Sequence, residues 1–390
     1  MNAGSGCVRN FMQASRFSTD FLRVFATLAV ISIHAVHRPM IALHELIGPP
    51  SGEASQSATA FDWVGAVFGT LWNEAARFSV PVFLLLSGYG LARKYARAGV
   101  TFSLREFFMN RLHRILLPFL VWSFVFLILR GRLSWPLDSG DLAVVIRALL
   151  VGNGDYHLYF FAIIVQCYIF FPLALYCSAT RAAIPAAVLL LCVQLLLLAP
   201  GFHLWKFAGV PLPGWPNSLI VFWAFYFYAG ILSGRAPDSS GPSIARSGNA
   251  RVFVGACVFA FAWMIVEHVV RAKLNPVVDY YAHFNRYSVI AYSMAVWFLF
   301  FAAQPWFESW RARPKFSEWI VWLAGLSFPV YIFHPWILRA LDLWMPPSAF
   351  SYVWTAPLLM VLAFAWAAVL DRVIPGRWLR LAFGLPERGE

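Results

Sequence analysis

The chain has 390 residues, of which 61% are hydrophobic and only 12% are charged. Soluble domains contain roughly 45–50% apolar residues, so this composition excludes an ordinary soluble protein and predicts an all-α integral membrane protein. The net charge of +12 at pH 7 is spread over short loops, which favours contact with anionic membrane lipid and indicates no nucleic acid partner.

Ten apolar segments follow one another along the chain, each close to the ~20 residues that a membrane-spanning helix requires. They lie at about residues 18–37, 64–92, 112–130, 156–178, 183–200, 217–234, 251–271, 284–304, 318–341 and 352–374. Asn73, Glu74 and Arg77 interrupt the long second segment, so we expect a short outer helix before its span. The sequence therefore predicts a bundle of about ten transmembrane helices.

The basic residues predict the orientation of this bundle. With both termini in the cytoplasm, 19 of the 30 Lys and Arg residues fall in inside segments and nine in outside segments. This asymmetry follows the positive-inside rule, so we predict that the N-terminus and the C-terminus are both cytoplasmic. The five cysteines have no spacing typical of metal ligands, and we predict neither a metal site nor a disulfide.

The polar segments between the spans have the length of loops, which indicates a single membrane domain over residues 1–390. Its motif-bearing region covers about 18–374, and we expect 375–390 to form a cytoplasmic tail with no fused soluble domain. The stretch 234–249 is rich in Gly, Ser and Pro and reads as a flexible inside linker. Residues 141–150 have the pattern of a short amphipathic helix on the outer surface.

The first predicted helix carries two ionisable residues, Arg23 and His34, within an apolar run. Eleven residues at about 100° each bring both to within roughly 20° of one helix face, about 16 Å apart along the axis. Ionisable groups at membrane depth usually mark a cavity or a reaction centre. The alternative is a helix end with a snorkelling arginine and a hydrogen-bonded histidine, with Asp20 pairing with Arg23.

Three further ionisable residues are predicted at the depth of His34. His334 lies about two-thirds of the way along the ninth segment, which runs outward like the first. Glu74 and Arg77 approach the same level from the outside, at the top of the second segment. A lined cavity accounts for four such groups better than four separate structural roles.

Arg111 and Arg114 open the third segment on its inner side. Three residues apart on a helix, they share a face where two guanidinium groups could grip a phosphate. The alternative is positive-inside anchoring of the helix.

Five motifs follow one another between about residues 18 and 340: Asp20-Phe-Leu-Arg23 with His34 after ten further residues; Arg77-Phe-Ser-Val-Pro81 leading to Ser87-Gly88-Tyr89; Arg111-Leu-His-Arg114 leading to Pro118; Tyr156-His157-Leu-Tyr159; and Ser327-Phe-Pro-Val-Tyr331-Ile-Phe-His334. Their order and spacing resemble the membrane-bound type 3 acyltransferase family. By this resemblance, Arg23 with His34 matches the family's Arg-x10-His motif, and Arg111 with Arg114 its Arg-x-x-Arg motif. The family's enzymes transfer acyl groups, most often acetyl from acetyl-CoA, to bacterial surface glycans such as lipopolysaccharide and exopolysaccharide.

We therefore expect a membrane O-acyltransferase of the bacterial cytoplasmic (inner) membrane that uses acyl-CoA as donor and a surface glycan, or its lipid-linked precursor, as acceptor. The polysaccharide biosynthesis or export machinery is an expected partner. His34 acts as a general base on a sugar hydroxyl or takes the acyl group itself. The predicted roles are catalysis by His34, Arg23 and His334, donor binding by Arg23, Arg111 and Arg114, and lining of the acceptor cavity by Glu74, Arg77 and Tyr331.

Two other classes of function fit a polar cavity in a membrane bundle. An exporter or flippase of polysaccharide or lipid-linked sugar needs a continuous polar route and no acyl donor. A structural or sensory membrane protein leaves Arg23 and His34 without a purpose. Basic groups inside and a base at depth favour the acyltransferase.

Overall fold

The computed structural model of the protein describes residues 16–36, 59–96, 102–133, 138–198, 218–235, 250–274, 283–345 and 350–386. All the regular elements within these ranges are helices, which confirms the predicted all-α class. The α-helices are α1 (Arg16–Ala35), α2 (Ala60–Ala75), α3 (Ser79–Tyr95), α4 (Leu104–Arg111), α5 (Leu117–Leu129), α6 (Ser139–Val151), α7 (Tyr159–Ser178), α8 (Ala183–Leu198), α9 (Ala224–Arg235), α10 (Ala250–Leu274), α11 (Tyr287–Ala302), α12 (Gln304–Arg311), α13 (Pro314–Trp344), α14 (Ser351–Val373) and α15 (Arg377–Ala382). Short 3₁₀ turns occupy Ala76–Phe78 and Ile220–Phe222, and Leu112–Leu116 is π-helical.

Seven helical stretches among the described residues are long and apolar enough to cross a membrane, and the bent pair of α11 and α12 makes an eighth if it is one span. The seven are Arg16–Ala35, Ala60–Tyr95, Leu104–Leu129, Tyr159–Ser178, Ala250–Lys273, Pro314–Trp344 and Ser351–Val373. The other two predicted segments form α8, with 16 residues, and α9, with 12. The chain is thus a multi-pass helical membrane protein, while the count of ten and the cytoplasmic termini stay predictions.

Proline accounts for the break between α2 and α3. Pro81 has no N–H, and its ring excludes the carbonyl of Arg77 from a regular helix. The chain forms the 3₁₀ turn Ala76–Phe78 at this point. The predicted short helix before the second span is observed as α2, and its outer position stays a prediction.

A second proline accompanies the π-helical segment between α4 and α5. There the N–H of Leu117 bonds to the carbonyl of Leu112, five residues back. Pro118 follows directly and removes the N–H that an α-helix would offer to the carbonyl of Arg114. The predicted Arg-x-x-Arg motif therefore lies where α-helical geometry changes to π-helical, a feature that occurs frequently at functional sites.

The contacts within the chain group it into two compact units. Unit 1 comprises Met1–Phe83 and Ala236–Val369, and unit 2 comprises Leu84–Arg235 and Leu370–Glu390. The predicted linker at 234–249 falls almost entirely outside the described residues. The prediction of one domain over 1–390 is not tested.

The core of unit 1 forms where α1 packs against α13 and α14. Small and branched side chains meet there, because Ala356, Ala363 and Ala367 lie seven and four residues apart on one face of α14, which neighbouring helices approach closely. The buried members are Ile31, Ala35, Leu326, Val330, Ala356, Leu359, Ala363 and Ala367. This packing holds the end of α1 beside the middle of α13.

In unit 2, two glycines let α3 and α9 come into backbone contact. A Cβ atom on Gly88 would overlap the carbonyl oxygen of Phe227, and one on Gly230 would overlap that of Leu85.

Part of the predicted tail 375–390 is helical and packs on α5. Residues of this segment form α15, and Trp122 Nε1 in α5 donates a hydrogen bond to the carbonyl of Ala382 at 2.9 Å.

The predicted amphipathic helix at 141–150 is observed as α6. Asp138 caps its N-terminus in a reciprocal capping box with Asp141, and Gly152 ends it in the left-handed conformation with φ of 73°. Its position at the outer surface stays a prediction.

Candidate active site

The first component of the site is His34, in the last turn of α1. Its side chain is partly buried, whereas its neighbours Ile33 and Ala35 are buried. The C-terminal end of a helix carries a partial negative charge, which stabilises a cation placed in the last turn. The position therefore suits an imidazole that gains a proton during a reaction.

The second component is His334 in α13, which is fully buried. Pro335 has no N–H, so the carbonyl of Tyr331 lacks the partner that residue 335 would supply in a regular α-helix. His334 Nδ1 lies 2.8 Å from that carbonyl oxygen. Because a carbonyl only accepts hydrogen bonds, Nδ1 carries a proton, so an uncharged ring has its lone pair on Nε2.

The two histidines lie side by side. Their ring centroids are 5.0 Å apart, and the ring of Tyr331 is 5.7 Å from that of His334. The two histidines, which the sequence predicts at one depth, are neighbours in the structure, so two of the three predicted catalytic residues come together here. An imidazole pair in an apolar helix interface can abstract a proton and return it.

The third predicted catalytic residue, Arg23, lies elsewhere on α1. Its Nη1 donates to Asp20 Oδ1 at 2.8 Å, and its side chain is 43% exposed. The unbroken helix separates it from His34 by about 16 Å of rise. The ion pair foreseen as the alternative is therefore present, and a donor-binding role for Arg23 stays a prediction.

A buried network surrounds Glu74 in α2. Its carboxylate is fully buried, forms an ion pair with Arg286 and lies 2.8 Å from His268 Nδ1. Arg77 Nε is 3.9 Å from Glu74 Oε1. Burying a carboxylate in a membrane bundle requires such partners, since the desolvation cost is large. Glu74 and Arg77 thus lie within ion-pair distance, although Arg286 and His268 are the nearer partners of Glu74.

The network continues from Arg77 to α1. Arg77 Nη2 donates to Asn73 Oδ1 at 2.5 Å, and its guanidinium lies 4.9 Å from the ring centroid of Phe284. Asn73 Nδ2 then donates to the backbone carbonyl of Ile33 at 3.3 Å. This connection joins Arg77 to the backbone beside His34, while their common level in a membrane stays a prediction.

A neutral histidine borders the network just before α11. His283 Nδ1 accepts a hydrogen bond from the N–H of Asn285 at 2.9 Å. Burial, followed by the positive charges of Arg77, Arg286 and Arg271, lowers the pKa of His283 from 6.5 to about 3. The ring is therefore uncharged at neutral pH.

Arg111 forms a separate basic site in unit 2, at the end of α4. Its guanidinium lies over the rings of Phe107 and Tyr168, at 5.6 and 5.2 Å from their centroids. Its buried Nε has no hydrogen-bond partner among the described residues. Arg114, in the π-helical segment, is exposed. A cavity of about 250 Å³ adjoins Arg111 and is lined by Phe108, Met109, Arg111, Leu112, Ile115, Leu116, Val165, Tyr168 and Ile169.

Comparison with known proteins decides the family. A family model described as an acyltransferase domain (Acyl_transf_3) matches residues 16–372. The chain belongs to the type 3 acyltransferase family. No curated protein and no solved structure matches it.

The match covers every site residue of this acyltransferase named above. Within the part of the chain that the structure describes, no group of three His, Cys, Asp or Glu side chains could hold a metal ion.

Sequence reasoning missed four residues of the site. His268 is an ionisable residue inside the predicted span 251–271, so the same rule that singled out His34 could have found it. Asn73 was noted as an interruption of the second segment, but nothing in the sequence paired it with α1. His283 lies one residue before the predicted segment 284–304, and Arg286 lies near its start, where an arginine is expected to reach the membrane surface.

Proposed function

We propose that this acyltransferase moves an acyl group, acetyl by the resemblance of its motifs, from cytoplasmic acyl-CoA to a hydroxyl of a bacterial surface glycan. The proposed location is the bacterial cytoplasmic membrane. The observation that carries the proposal is the pair of His34 and His334, with ring centroids 5.0 Å apart in an apolar helix interface. The acceptor class rests on the resemblance alone.

The histidine pair supports general base catalysis. In its uncharged form His334 has its lone pair on Nε2, and His34 lies where a helix terminus stabilises positive charge. In the proposed step, one imidazole takes the proton of the sugar hydroxyl while the hydroxyl oxygen bonds to the carbonyl carbon of the thioester. The carbon–sulfur bond of the thioester breaks, and the leaving CoA thiolate receives a proton. Alternatively, His34 first takes the acyl group and passes it on.

The surroundings of Arg111 support donor binding. CoA is a polyphosphate with a long flexible arm, and it requires cationic groups beside a cavity of low polarity. Arg111 is held by two aromatic rings and borders an apolar cavity. We propose that Arg111 and Arg114 bind CoA phosphates and that Arg23 contacts the arm. Exclusion of water around the thioester limits its hydrolysis.

The buried network supports a different role for the predicted acceptor residues. Glu74 and Arg77 are buried and bonded to other protein groups, so we infer that they hold the wall of the acceptor cavity in place. Tyr331, next to His334, is the side chain that we propose to contact the sugar.

Isolated membranes test the proposal directly. Membranes with and without this chain are incubated with acetyl-CoA carrying a labelled acetyl group and with surface glycan extracted from a producing strain. We expect label in the glycan only when the chain is present, released by mild base as an ester. Label on the protein after a rapid acid quench would favour the acyl-histidine route. No transfer from any acyl-CoA to any glycan would contradict the proposal.

A further inference from the structure

Asn73 connects the buried ion network to the backbone beside His34. The residue is completely buried in α2. One end of its amide donates to the carbonyl of Ile33 at 3.3 Å, and the other accepts from Arg77 at 2.5 Å. Among the described contacts, Asn73 thus links the network around Glu74 to the turn of α1 that carries His34.

The carbonyl of Ile33 lies in the last turn of α1, which ends at Ala35. A backbone carbonyl has two lone pairs and can accept more than one hydrogen bond. The Asn73 amide therefore adds a bond from α2 to the turn that carries His34.

The orientation of the amide follows from its other neighbour. A guanidinium only donates hydrogen bonds, so Asn73 must present its oxygen to Arg77 and its NH₂ group to Ile33. Arg77 is itself held by Glu74, 3.9 Å away, and by the ring of Phe284. The network therefore fixes both the place and the direction of the Asn73 donor.

We propose that Asn73 is a positioning residue for His34. By tying the last turn of α1 to α2, it sets where the imidazole stands relative to His334. The inference rests on the proposed function, in which that imidazole acts on the acyl acceptor or the acyl group. A displacement of about 1 Å at a reacting group can cost about 100-fold in rate.

Asn73→Asp is the sharpest test, because it changes one group and keeps the shape. The new carboxylate still accepts from Arg77, but it faces the Ile33 carbonyl with an oxygen and no hydrogen. We expect kcat for acyl transfer to fall about 10- to 100-fold while KM for acyl-CoA stays within about twofold. Asn73→Leu removes both hydrogen bonds at similar volume, and we expect the same division between kcat and KM.

Thr70→Val is the matched control one turn earlier on α2. Thr70 is buried, and its hydroxyl donates to the carbonyl of Ala66 in its own helix at 2.9 Å. The variant loses a buried hydrogen bond without touching the link to α1. We expect its kcat to equal that of the wild type, with all rates normalised to folded protein recovered from detergent extracts.

The outcomes separate this inference from the proposed function. Wild-type kcat in both Asn73 variants, or a change confined to KM, would overturn the positioning role. So would failure of both variants to insert and fold, which would make Asn73 a purely structural residue. His34→Ala in the same assay tests the proposed mechanism by itself: an inactive His34→Ala beside fully active Asn73 variants defeats only the positioning role.

Discussion

The two candidate sites differ in how their charged groups are balanced. In unit 1, the buried carboxylate of Glu74 is bonded to Arg286 and His268, and the network extends to the backbone of α1. In unit 2, Arg111 lies over two aromatic rings beside an apolar cavity, and its buried Nε has no partner among the described residues. Ion pairs to a buried carboxylate maintain geometry, whereas a guanidinium held on aromatic rings beside a cavity keeps donors for an anionic ligand.

The comparison implies that substitution of site residues in unit 1 should impair the reaction or the fold, whereas substitution of Arg111 and Arg114 in unit 2 should impair donor binding.

The largest effect is expected for His34→Ala. The variant should insert, since it removes a polar group from an apolar span, yet lose about 100- to 10,000-fold in transfer rate for want of a base. Acylation of glycan in membranes with matched protein amounts measures the loss.

His334→Asn serves as the companion variant. Its amide nitrogen can still donate to the carbonyl that Pro335 leaves available, but it provides no base in place of Nε2. Loss of activity in both variants would assign the reaction to the pair. Wild-type rates in His34→Ala would move the reaction centre away from α1 and revive the exporter hypothesis.

The next effect concerns the fold of unit 1. Glu74→Gln keeps the shape of the side chain but leaves Arg286 and Arg77 without their buried carboxylate, which should cost about 3–5 kcal/mol of stability. Thermal unfolding in detergent measures the change. Glu308→Gln is the control, because its ion pair with Arg311 is exposed and should contribute only about 0–1 kcal/mol. Equal stability of the two variants would show that the buried network does not hold unit 1.

In unit 2, a smaller and different effect is expected. Replacing Arg111 and Arg114 together with Ala should raise KM for acyl-CoA, since each charge-assisted phosphate contact contributes roughly 1.5–3 kcal/mol. Neither the melting temperature nor kcat at saturating donor should change much. Arg105→Ala, on the exposed face of α4, removes a nearby charge as a control. An unchanged KM in correctly inserted protein would reduce the pair to determinants of membrane orientation.

The smallest effect is a dependence of stability on pH. The pKa of His283 is lowered from 6.5 to about 3 in the folded chain, so between these values the unfolded chain binds the additional proton. Stability should therefore fall as the pH drops below about 6.5, by up to about 2 kcal/mol near pH 5. His283→Asn, which can still accept from Asn285, should reduce the difference in melting temperature between about pH 7 and pH 5. An equal difference in the variant would assign the effect to other groups.

The sequence alone was sufficient for the class of protein, for most of its spans and for the prediction that His34 and His334 lie at one level. Apolar segments of spanning length and polar residues within them depend on local composition and helical period, which can be read along one chain. His34 and His334 could be placed at one depth, because each position along a span translates directly into a distance across the membrane. The order and spacing of the motifs led to the family by resemblance, since motifs can be compared along one chain.

Only the tertiary structure decided which polar groups meet. Arg286 lies 212 positions from Glu74, His268 lies 194 positions away, and Asn73 is 40 residues from Ile33. The helical period specifies which residues share a face of a helix, but it does not specify which other helix packs on that face. Residues at one depth could therefore pair in any combination. The π-helical turn at Arg111 and the carbonyl that Pro335 leaves for His334 likewise depend on backbone geometry. The sequence thus determined which side chains are unfavourable to bury, and the packing of helices determined which partner groups stabilise them.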